Sequence, residues 1–470
     1  MSDRGLALAR EKMTDAGVAQ QAIDVFSHYY RQLEEGVTGF IAEDSIEPLT
    51  DPQLLADADV SDVDASAALA KTVIIKLNGG LGTSMGMDKA KSLLTVRDNK
   101  TFCDIIVEQV MSARGTHDAK LPLIFMNSFR TRDDTLAALA TYADLEVDDL
   151  GLDFLQSSEP KLRVDDLTPV EWPADPTLEW CPPGHGDLYP ALSSSGLLDR
   201  LLAAGYRYAS VSNSDNLGAA PNAKIAGWFA ASGAPYAAEI CRRTAADRKG
   251  GHLAIRKADR QLILRDTAQT AADEMAFFTD EFRHPYFHCN NLWFDLEVLS
   301  RTLTERNAVL GLPLIKNEKT VDPADSSSTP VIQIESAMGA AIEVFEGATA
   351  IGVGRERFLP VKTTNDLLLL QSDAYEVGSD GLLTRVADPA PLVDLDGAYY
   401  KTIAKFSDRF PAGAPSLKQA TSLTVAGDWT FESEVTVVGA GVLEDSGEAS
   451  TVTSGTVIEG SGTEPSRGNE

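Results

Sequence analysis

The sequence contains little that would support a disulfide framework, a zinc centre or a membrane span. Its 470 residues include four cysteines, and no two of them form a C-x-x-C pair. The first residues, MSDRGLALAREKMTDAG, lack the apolar segment of a secretory signal, and no uninterrupted apolar run reaches the length of a bilayer. We therefore expect a cytoplasmic protein with no membrane partner. The cysteines are Cys103, Cys181, Cys241 and Cys289.

Basic residues are also scarce. There are 41 lysines and arginines against 70 aspartates and glutamates, which gives a formal net charge of −29. Nucleic-acid backbones require positively charged faces, so this balance excludes nucleic acid as a partner. The acidity itself is interpreted as a solubility feature or as the mark of an acidic proteome. Because an anionic protein that binds anions must concentrate positive charge locally, individually placed lysines are informative.

Several catalytic patterns are missing as well. The sequence has no G-x-S-x-G nucleophile elbow, no serine–histidine–aspartate arrangement and no His-x-x-x-His pair, and its six histidines are mostly isolated. This disfavours hydrolases and zinc enzymes. It favours phosphoryl or nucleotidyl transfer, in which the substrates bring their own nucleophile and the protein supplies position and positive charge.

The chain divides into regions that differ in composition and in hydrophobic periodicity. Residues 1–70 are rich in Ala, Asp and Glu with helical periodicity, which predicts a helical N-terminal extension. Residues 71–389 alternate strand and helix patterns, which predicts an α/β domain with a mixed, mainly parallel sheet. Residues 390–460 contain short Val/Thr strands typical of a β-solenoid or small β-sandwich, and residues 461–470 are predicted to be disordered. Within the α/β region we expect strands at 72–76, 121–126, 207–212, 236–240 and 287–294, and a helix at 187–204.

The most informative stretch is KLNGGLGTSMGMDKAKSLL, residues 76–94. It follows a short β-branched strand and carries four glycines before a helix-friendly segment. Glycines let a backbone approach a ligand closely, and free amides at a helix start favour its negative charge. The spacing matches neither G-x-x-x-x-G-K-[ST] nor G-x-G-x-x-G. A purely structural turn is the alternative, but Lys91, 13 residues after Asn78, favours a loop that handles phosphate.

Other polar residues stand at places where α/β sheets bind ligands. His185 lies in a rigid Pro/Gly loop ahead of a helix, and Asp215 follows a strand, where a carboxylate can hold Mg²⁺. A solvent-exposed turn histidine and an Asx turn or helix cap are the alternatives. Lys362 stands between a proline and a helix cap, where a plain surface lysine is the default. The adjacent amides Asn290 and Asn291 lie inside an apolar strand and need partners.

Taken together, these segments resemble a known family, the eukaryotic-type UTP–glucose-1-phosphate uridylyltransferases. The resemblance spans roughly residues 70–375, and SLTVAGDWTF resembles the left-handed β-helix at the C-terminus of that family. The acidic, alanine-rich composition suggests an actinobacterial member. The motifs, in chain order, are KLNGGLGTSMG with KSLL, MNSF, PPGHGD, SNSDNLGA, NNLW, ESAMGAAIEVFE and RFLPVKTTNDLLLL.

The resemblance implies a Rossmann-like, GT-A-like nucleotidyltransferase fold and a reversible reaction, in which UTP and glucose 1-phosphate give UDP-glucose and pyrophosphate with Mg²⁺. A homo-oligomer formed through the C-terminal domain is also implied as a possibility. The mechanism expected is in-line attack on the α-phosphorus without a covalent intermediate. The nucleophile is already anionic, so the main obstacle is repulsion between two polyanions, which Mg²⁺ and lysines offset.

The same resemblance assigns roles to individual residues. Lys91, Lys362 and Asp215 correspond to the catalytic phosphate-binding and metal-binding positions, with Asp215 as the metal contact. The uridine-binding positions are Leu77, Gly79, Gly80, Gln156 and Gly184. The phosphate-binding and sugar-binding positions are His185, Asn213, Asp266 and Asn291. Asp266 stands where relatives carry a glutamate, so that sugar contact is shorter here.

Three alternatives stay open at this point. A broader UDP-sugar or UDP-N-acetylhexosamine pyrophosphorylase is possible because Asp266 leaves room for altered sugar tolerance. A non-catalytic UDP-sugar sensor is disfavoured because it need not keep Lys91, Asp215 and Lys362 together. A nicotinamide dehydrogenase lacks the acidic residue expected about 20 positions beyond the glycine loop.

Overall fold

The structure is a computed structural model that describes residues 2–244, 247 and 250–460. The predicted disordered segment at 461–470 lies outside these residues. The α-helices of the described part are α1 Ser2–Asp15, α2 Gln20–Glu34, α3 Asp62–Leu69, α4 Phe102–His117, α5 Arg132–Leu139, α6 Leu188–Ser194, α7 Leu197–Ala203, α8 Ala223–Ser232, α9 Met275–Phe278, α10 Leu296–Glu305, α11 Thr364–Gln371, α12 Gly397–Tyr400 and α13 Ile403–Arg409.

The strands are mostly short and fall into one large sheet and several small ones. In chain order they are β1 Ile46–Pro48, β2 Thr72–Asn78, β3 Thr95–Arg97, β4 Lys100–Thr101, β5 Leu123–Asn127, β6 Asp153–Leu155, β7 Glu159–Pro160, β8 Leu162–Arg163, β9 Trp180–Cys181, β10 Tyr208–Asn213, β11 Tyr236–Arg242, β12 His252–Arg256, β13 Leu262–Arg265, β14 Tyr286–Asp295, β15 Ile315–Thr320, β16 Pro330–Glu335, β17 Thr349–Val353, β18 Tyr375–Val377, β19 Leu383–Arg385, β20 Leu392–Leu395, β21 Ser416–Val425, β22 Trp429–Phe431, β23 Thr436–Leu443, β24 Ser450–Val452 and β25 Val457–Glu459.

The central sheet is mixed. Strands β10, β2, β5 and β6 are neighbours in that order and all parallel, so their carboxyl ends meet at one edge. Strand β14 pairs antiparallel with β10 and with β11, and β11 pairs parallel with β17. The inner strands are apolar on both faces because helices cover both sides. The predicted α/β class with a mixed sheet is therefore confirmed.

Two sequence predictions need correction. The helix expected over residues 187–204 is two helices, α6 and α7, because Gly196 takes a left-handed conformation with φ of 70° and ends the first one. The helical prediction for residues 1–70 leaves out a strand, since β1 pairs antiparallel with β12 and extends the central sheet. Three residues with one buried side chain are too short a pattern to identify from the sequence.

The C-terminal region has a different architecture but shares a core with the sheet. Strands β20, β21, β23 and β25 pair in parallel in that order, and β22 pairs in parallel with β24. One apolar cluster runs without a break from Leu69 under the central sheet to Ile458 in the last strand. Within the described residues, no helix is long and apolar enough to cross a bilayer.

Candidate active site

The candidate site lies at the carboxyl edge of the parallel strands, where open α/β sheets bind ligands. Leu77 lies near the end of β2, Gln156 follows β6 directly, and Asn213 ends β10. Leu292 of β14 stands opposite Val211 of β10, so the residues before Leu292 flank the same edge. The sheet thus brings together segments that are far apart in the sequence.

The glycine loop after β2 is closed by its own backbone. The amide of Lys91 donates to the carbonyl of Gly80 at 3.1 Å. Gly82 and Gly86 adopt positive φ values of 66° and 72°, which side chains other than glycine rarely take. The helix expected to follow the loop is absent at this point: the chain makes only short 3₁₀ turns at Thr83–Met85 and Lys91–Leu93, and α4 begins later.

Two of the predicted uridine-binding residues, Gly79 and Gly184, lie beside a third, Gln156. Its Nε2 donates to the carbonyl of Gly184 at 2.7 Å, and its backbone amide donates to Asn127. Gly184 has a φ of 76°, and a Cβ there would lie 2.7 Å from the carbonyl oxygen of Ser336. A Cβ on Gly79 would lie 2.7 Å from Oε1 of Gln156. Gly184 is therefore packed against the backbone of Ser336, and Gly79 against the amide side chain of Gln156.

Lys91 and Asp215 form an ion pair at the centre of the edge. Lys91 Nζ lies 2.7 Å from Oδ2 of Asp215 and also donates to the carbonyl of Val361. The two side chains are only 16% and 19% exposed, so the pair is partly shielded from solvent. Oδ1 of Asp215 is buried and has no hydrogen-bond partner in the part of the chain that the structure describes. The carboxylate thus keeps one free acceptor beside a fixed ammonium group.

Lys362 follows directly on a residue whose backbone is bonded to Asp215. Its backbone amide donates to Oδ2 of Asp366, which caps α11, and the preceding amide, that of Val361, donates to the carbonyl of Asp215 at 3.2 Å. The Lys362 residue is exposed, and among the described residues its ammonium has no ion-pair partner. Lys362 therefore presents an unpaired positive charge next to the turn that carries the Lys91–Asp215 pair.

The imidazole of His185 is held as a hydrogen-bond donor. Its Nδ1 accepts the backbone N–H of Met338 at 2.9 Å, which leaves the ring proton on Nε2. Burial lowers the pKa of His185, and the Asp266 carboxylate opposes this effect. The ring is therefore neutral at neutral pH. Asp266 itself caps the 3₁₀ turn Thr267–Gln269, accepting from the amide of Thr267 at 2.6 Å.

Asn291 and Asn290 are placed differently. The side chain of Asn291 is buried, and its Nδ2 donates to Glu239 at 3.0 Å and to the carbonyl of Arg357 at 3.2 Å. Asn290 has a positive φ of 55°, and its amide donates to Nδ1 of His288. The predicted sugar residue Asn291 is thus bonded to other parts of the protein, while its neighbour is partly exposed.

Sequence reasoning missed His288. Its ring is buried beside the site, and Nε2 has no partner among the described residues. Burial lowers the pKa of His288 to about 4. The only sequence signal is its position two residues before Asn290.

Asn78 was also missed. Its side-chain Nδ2 donates to Asn127 and to Thr135, which connects β2 to β5 beneath the glycine loop.

The donor set fits a magnesium ion. Mg²⁺ is usually held by one or two carboxylates together with substrate phosphates and water. Asp215 offers one carboxylate oxygen without a hydrogen-bond partner. Across residues 2–244, 247 and 250–460 no cluster of three or more His, Cys, Asp or Glu side chains could hold a metal. The arrangement therefore suits a cation held jointly by Asp215 and a bound phosphate.

A buried acid supports the uridine side of the site and makes stability depend on pH. Oδ2 of Asp187 accepts the amide of Ser157 at 2.6 Å, next to Gln156, and burial raises the pKa of Asp187 to about 7. The unfolded value is about 4. The contribution of this group to stability is therefore complete below about pH 4 and is lost as the pH rises to about 7.

Asp187→Asn keeps an oxygen acceptor but removes the ionisation. We expect its free energy of unfolding, relative to that of the unmodified protein, to rise between pH 4 and pH 7 by about 2–4 kcal/mol. Urea unfolding at a series of pH values measures this difference. The control is Asp199→Asn at an exposed position, and a pH-independent difference for Asp187→Asn would contradict the assignment.

Comparison with known proteins agrees with this geometry. The family model described as UTP–glucose-1-phosphate uridylyltransferase matches residues 23–438. The enzyme of that name from Solanum tuberosum is 40% identical over 378 residues, covering 79% of this chain and 76% of the relative. The enzyme from Saccharomyces cerevisiae is 38% identical over 395 residues, covering 83% and 77%.

Solved structures give the same result. A UDP-glucose phosphorylase from Trypanosoma brucei is 41% identical, with a TM-score of 0.90 and coverage of 97% of this chain and 98% of that one. A variant of UDP-glucose pyrophosphorylase from Leishmania major in complex with UDP-glucose is 39% identical, with the same TM-score and coverage. The chain belongs to the UTP–glucose-1-phosphate uridylyltransferase family.

Proposed function

We propose that the protein joins UTP and glucose 1-phosphate to give UDP-glucose and pyrophosphate, in a reversible reaction. The observation that carries this proposal is the pairing of Lys91 with Asp215 at the same sheet edge as the amide of Gln156. An ammonium, a carboxylate with a free oxygen and an amide that can read a base edge are what a uridylyl transfer requires. Membership of the family supports the same reaction.

The residues act through charge and position rather than through covalent chemistry. A phosphate oxygen of glucose 1-phosphate attacks the α-phosphorus of UTP in line, the bond to the bridging oxygen breaks, and pyrophosphate leaves with that electron pair. Lys91 and Lys362 stabilise the negative charge that accumulates between the two phosphates. His185, as a neutral donor, and Asn213 line the phosphate and sugar side, with Asp266 further along.

Asp215 would hold Mg²⁺ together with the phosphates of UTP. When bound, the cation neutralises phosphate charge and favours departure of pyrophosphate. Leu77, Gly79 and Gly80 form the backbone wall against which the uracil ring would lie, and Gln156 would read its edge with Gly184 beside it. The buried acceptor on Asp215 and the close packing of Gly79 on Gln156 support these roles.

A methyl group at Gly79 should weaken binding of UTP selectively. In Gly79→Ala the new Cβ would lie 2.7 Å from Oε1 of Gln156, a flexible group that can move away. Displacing one recognition amide costs on the order of 1–2 kcal/mol, so we expect KM for UTP to rise about tenfold with little change in stability. Steady-state kinetics test this, with Gly115→Ala, where nothing lies within 4 Å, as the control.

The first test of the function is pyrophosphate release from UTP, Mg²⁺ and glucose 1-phosphate, with the galactose and N-acetylglucosamine 1-phosphates alongside. Fast, glucose-selective release supports the proposal. Release with all three sugars favours the broader UDP-sugar enzyme that Asp266 leaves open. Binding of UDP-glucose without exchange of pyrophosphate into UTP would favour the sensor and overturn the proposed activity.

Three further proposals concern the setting of the enzyme. We propose that residues 390–460 form a left-handed β-helix, which the all-parallel pairing of β20, β21, β23 and β25 supports. A homo-oligomer formed through this region is also proposed, as is action in the cytoplasm. The four cysteines are buried and free, as expected of a protein from a reducing compartment.

A further inference from the structure

Residues 357–362, here called the Lys362 segment, are hydrogen-bonded to the turn that carries Asp215. After β17 the chain turns back, and Asn216 and Pro360 form an antiparallel bridge. The amide of Leu359 donates to Oδ1 of Asn216 at 2.8 Å, and the amide of Val361 donates to the carbonyl of Asp215 at 3.2 Å. Because Val361 also accepts from Lys91, both lysines are positioned through this short contact.

Arg357 anchors the beginning of the segment in the core. The residue is 6% exposed, and its guanidinium forms a two-point pair with Glu239, Nε to Oε2 at 3.0 Å and Nη2 to Oε1 at 2.7 Å. Its Nη1 donates to the carbonyls of Ala220 and Gly218 at 2.6 and 3.2 Å. The ion pair thus joins β11 to the loop after β10 and to the start of the Lys362 segment.

Two amides complete the connection. Nδ2 of Asn216 donates to the carbonyl of Arg357 at 3.2 Å and to Oδ1 of Asn291 at 3.1 Å. Nδ2 of Asn291 donates to the same carbonyl and to Glu239. Oδ1 of Asn216 accepts from the amides of Gly218 and Leu359. In this arrangement both N–H bonds of each amide point to partners within the protein, so neither side chain has a free donor for a substrate.

Gly218 brings the backbones into direct contact. A Cβ at this position would lie 2.4 Å from the carbonyl oxygen of Glu356 and 2.8 Å from the carbonyl carbon of Arg357. At this distance the loop after β10 and the Lys362 segment are in direct backbone contact, and a side chain at Gly218 would clash. The spacing between the two segments is therefore fixed by packing and by hydrogen bonds at the same time.

We propose that Asn216, with Asn291 and the Glu239–Arg357 ion pair, forms a positioning unit that sets Lys362 and the Lys91–Asp215 pair relative to each other. This inference rests on the proposed function, because it assigns the lysines to phosphate. Asn291 is then a positioning residue that acts through the Arg357 carbonyl. A shift of about 1 Å in a catalytic group can cost about 10²-fold in rate, so small changes in this unit matter.

The test compares Asn216→Ala and Asn216→Asp with Trp293→Phe. Trp293 donates to the same Glu239 carboxylate but has no hydrogen bond to residues 357–362 among the described residues, so its variant controls for loss of stability and of one contact to Glu239. Asn216→Asp keeps the acceptor for Leu359 and loses both donors. We expect kcat to fall about 10- to 100-fold in Asn216→Ala, by at least as much in Asn216→Asp, whose second carboxylate oxygen faces two acceptors, and to change little in Trp293→Phe, with KM for UTP nearly constant.

Two readouts separate positioning from a general structural role. In a Lys362→Ala background, Asn216→Ala should lower kcat by a smaller factor than it does in the unmodified protein, because one of the groups that it positions is already removed. Amide hydrogen exchange of residues 358–363 should be faster in Asn216→Ala than in Trp293→Phe. Multiplicative losses in the double variant, or equal exchange in the two single variants, would overturn the inference.

The exchange measurement also separates this inference from the proposed function, since it needs no activity. If the unmodified protein transfers uridylyl groups to no sugar phosphate while the exchange difference is present, the proposed reaction fails and the positioning unit stands. If activity is normal and the exchange difference is absent, the positioning unit fails alone.

Discussion

Replacing Lys362 by alanine should lower turnover by at least about 10²-fold while the fold stays intact. Its ammonium has no ion-pair partner among the described residues, so its removal leaves no buried charge unpaired. Loss of one preorganised charge contact to a transferring phosphate costs about 10²–10³ in kcat. Substitution at an exposed position changes stability by no more than about 0.5 kcal/mol. Steady-state kinetics and thermal unfolding of the same preparation measure both quantities.

The control is Lys418→Ala, because Lys418 is also exposed and its amide also donates to an aspartate, Asp373. It lies on β21, in the C-terminal sheet, and its loss should leave turnover unchanged. Near-normal turnover of Lys362→Ala would remove this lysine from the mechanism. An equal fall in both variants would point to a general effect of net charge rather than to a contact with phosphate.

Replacing Arg265 by methionine should destabilise the protein by about 3–5 kcal/mol. Arg265 is fully buried and pairs with Glu43 from the N-terminal region and with Glu274, the latter at 2.5 Å. Removing Arg265 takes its buried positive charge away from both carboxylates, while Glu43 keeps its contacts with Arg283 and His284, so we expect the lower end of this range. Chemical denaturation followed by circular dichroism measures the change in the free energy of unfolding.

Arg260→Met is the matched control for this prediction. Arg260 also pairs with a glutamate of the N-terminal region, Glu47, but the two side chains are 61% and 46% exposed. Exposed pairs contribute about 0–1 kcal/mol, so this variant should unfold at nearly the normal denaturant concentration. Similar losses in the two variants would show that burial does not decide the contribution of these pairs.

The fold class and the central residues of the site were predictable because their signals are local. Gly79 and Gly80 follow one strand directly, and Asp215 follows another, so the topology of a parallel sheet places them at the same edge. The ion pair between Lys91 and Asp215 was not predicted, because the sequence assigned Lys91 to phosphate and Asp215 to a metal. For Lys362 the local pattern indicates only a helix start, and its role came from resemblance to the family.

Other features could not be predicted, for two physical reasons. The break at Gly196 is a single residue in a left-handed conformation inside an otherwise helical pattern, and tertiary packing decides whether such a glycine ends a helix. The Glu239–Arg357 pair joins residues 118 positions apart, and neither side chain has a local pattern that names its partner. Likewise, Asn291 was assigned from its motif, whereas its partners come from three separate segments.

The continuous apolar core between the sheet and the C-terminal strands has a consequence for synthesis in the cell. Tyr400, Leu417 and Ile458 contribute to the same core as the central sheet. At about 5–20 residues per second, the ribosome needs roughly 4–14 s to add residues 390–459 after the catalytic region. During that interval the nascent chain exposes an apolar surface that only its own later strands can cover. The C-terminal strands thus act as the last folding step of the catalytic region, and a protein truncated before them would be a client of chaperones.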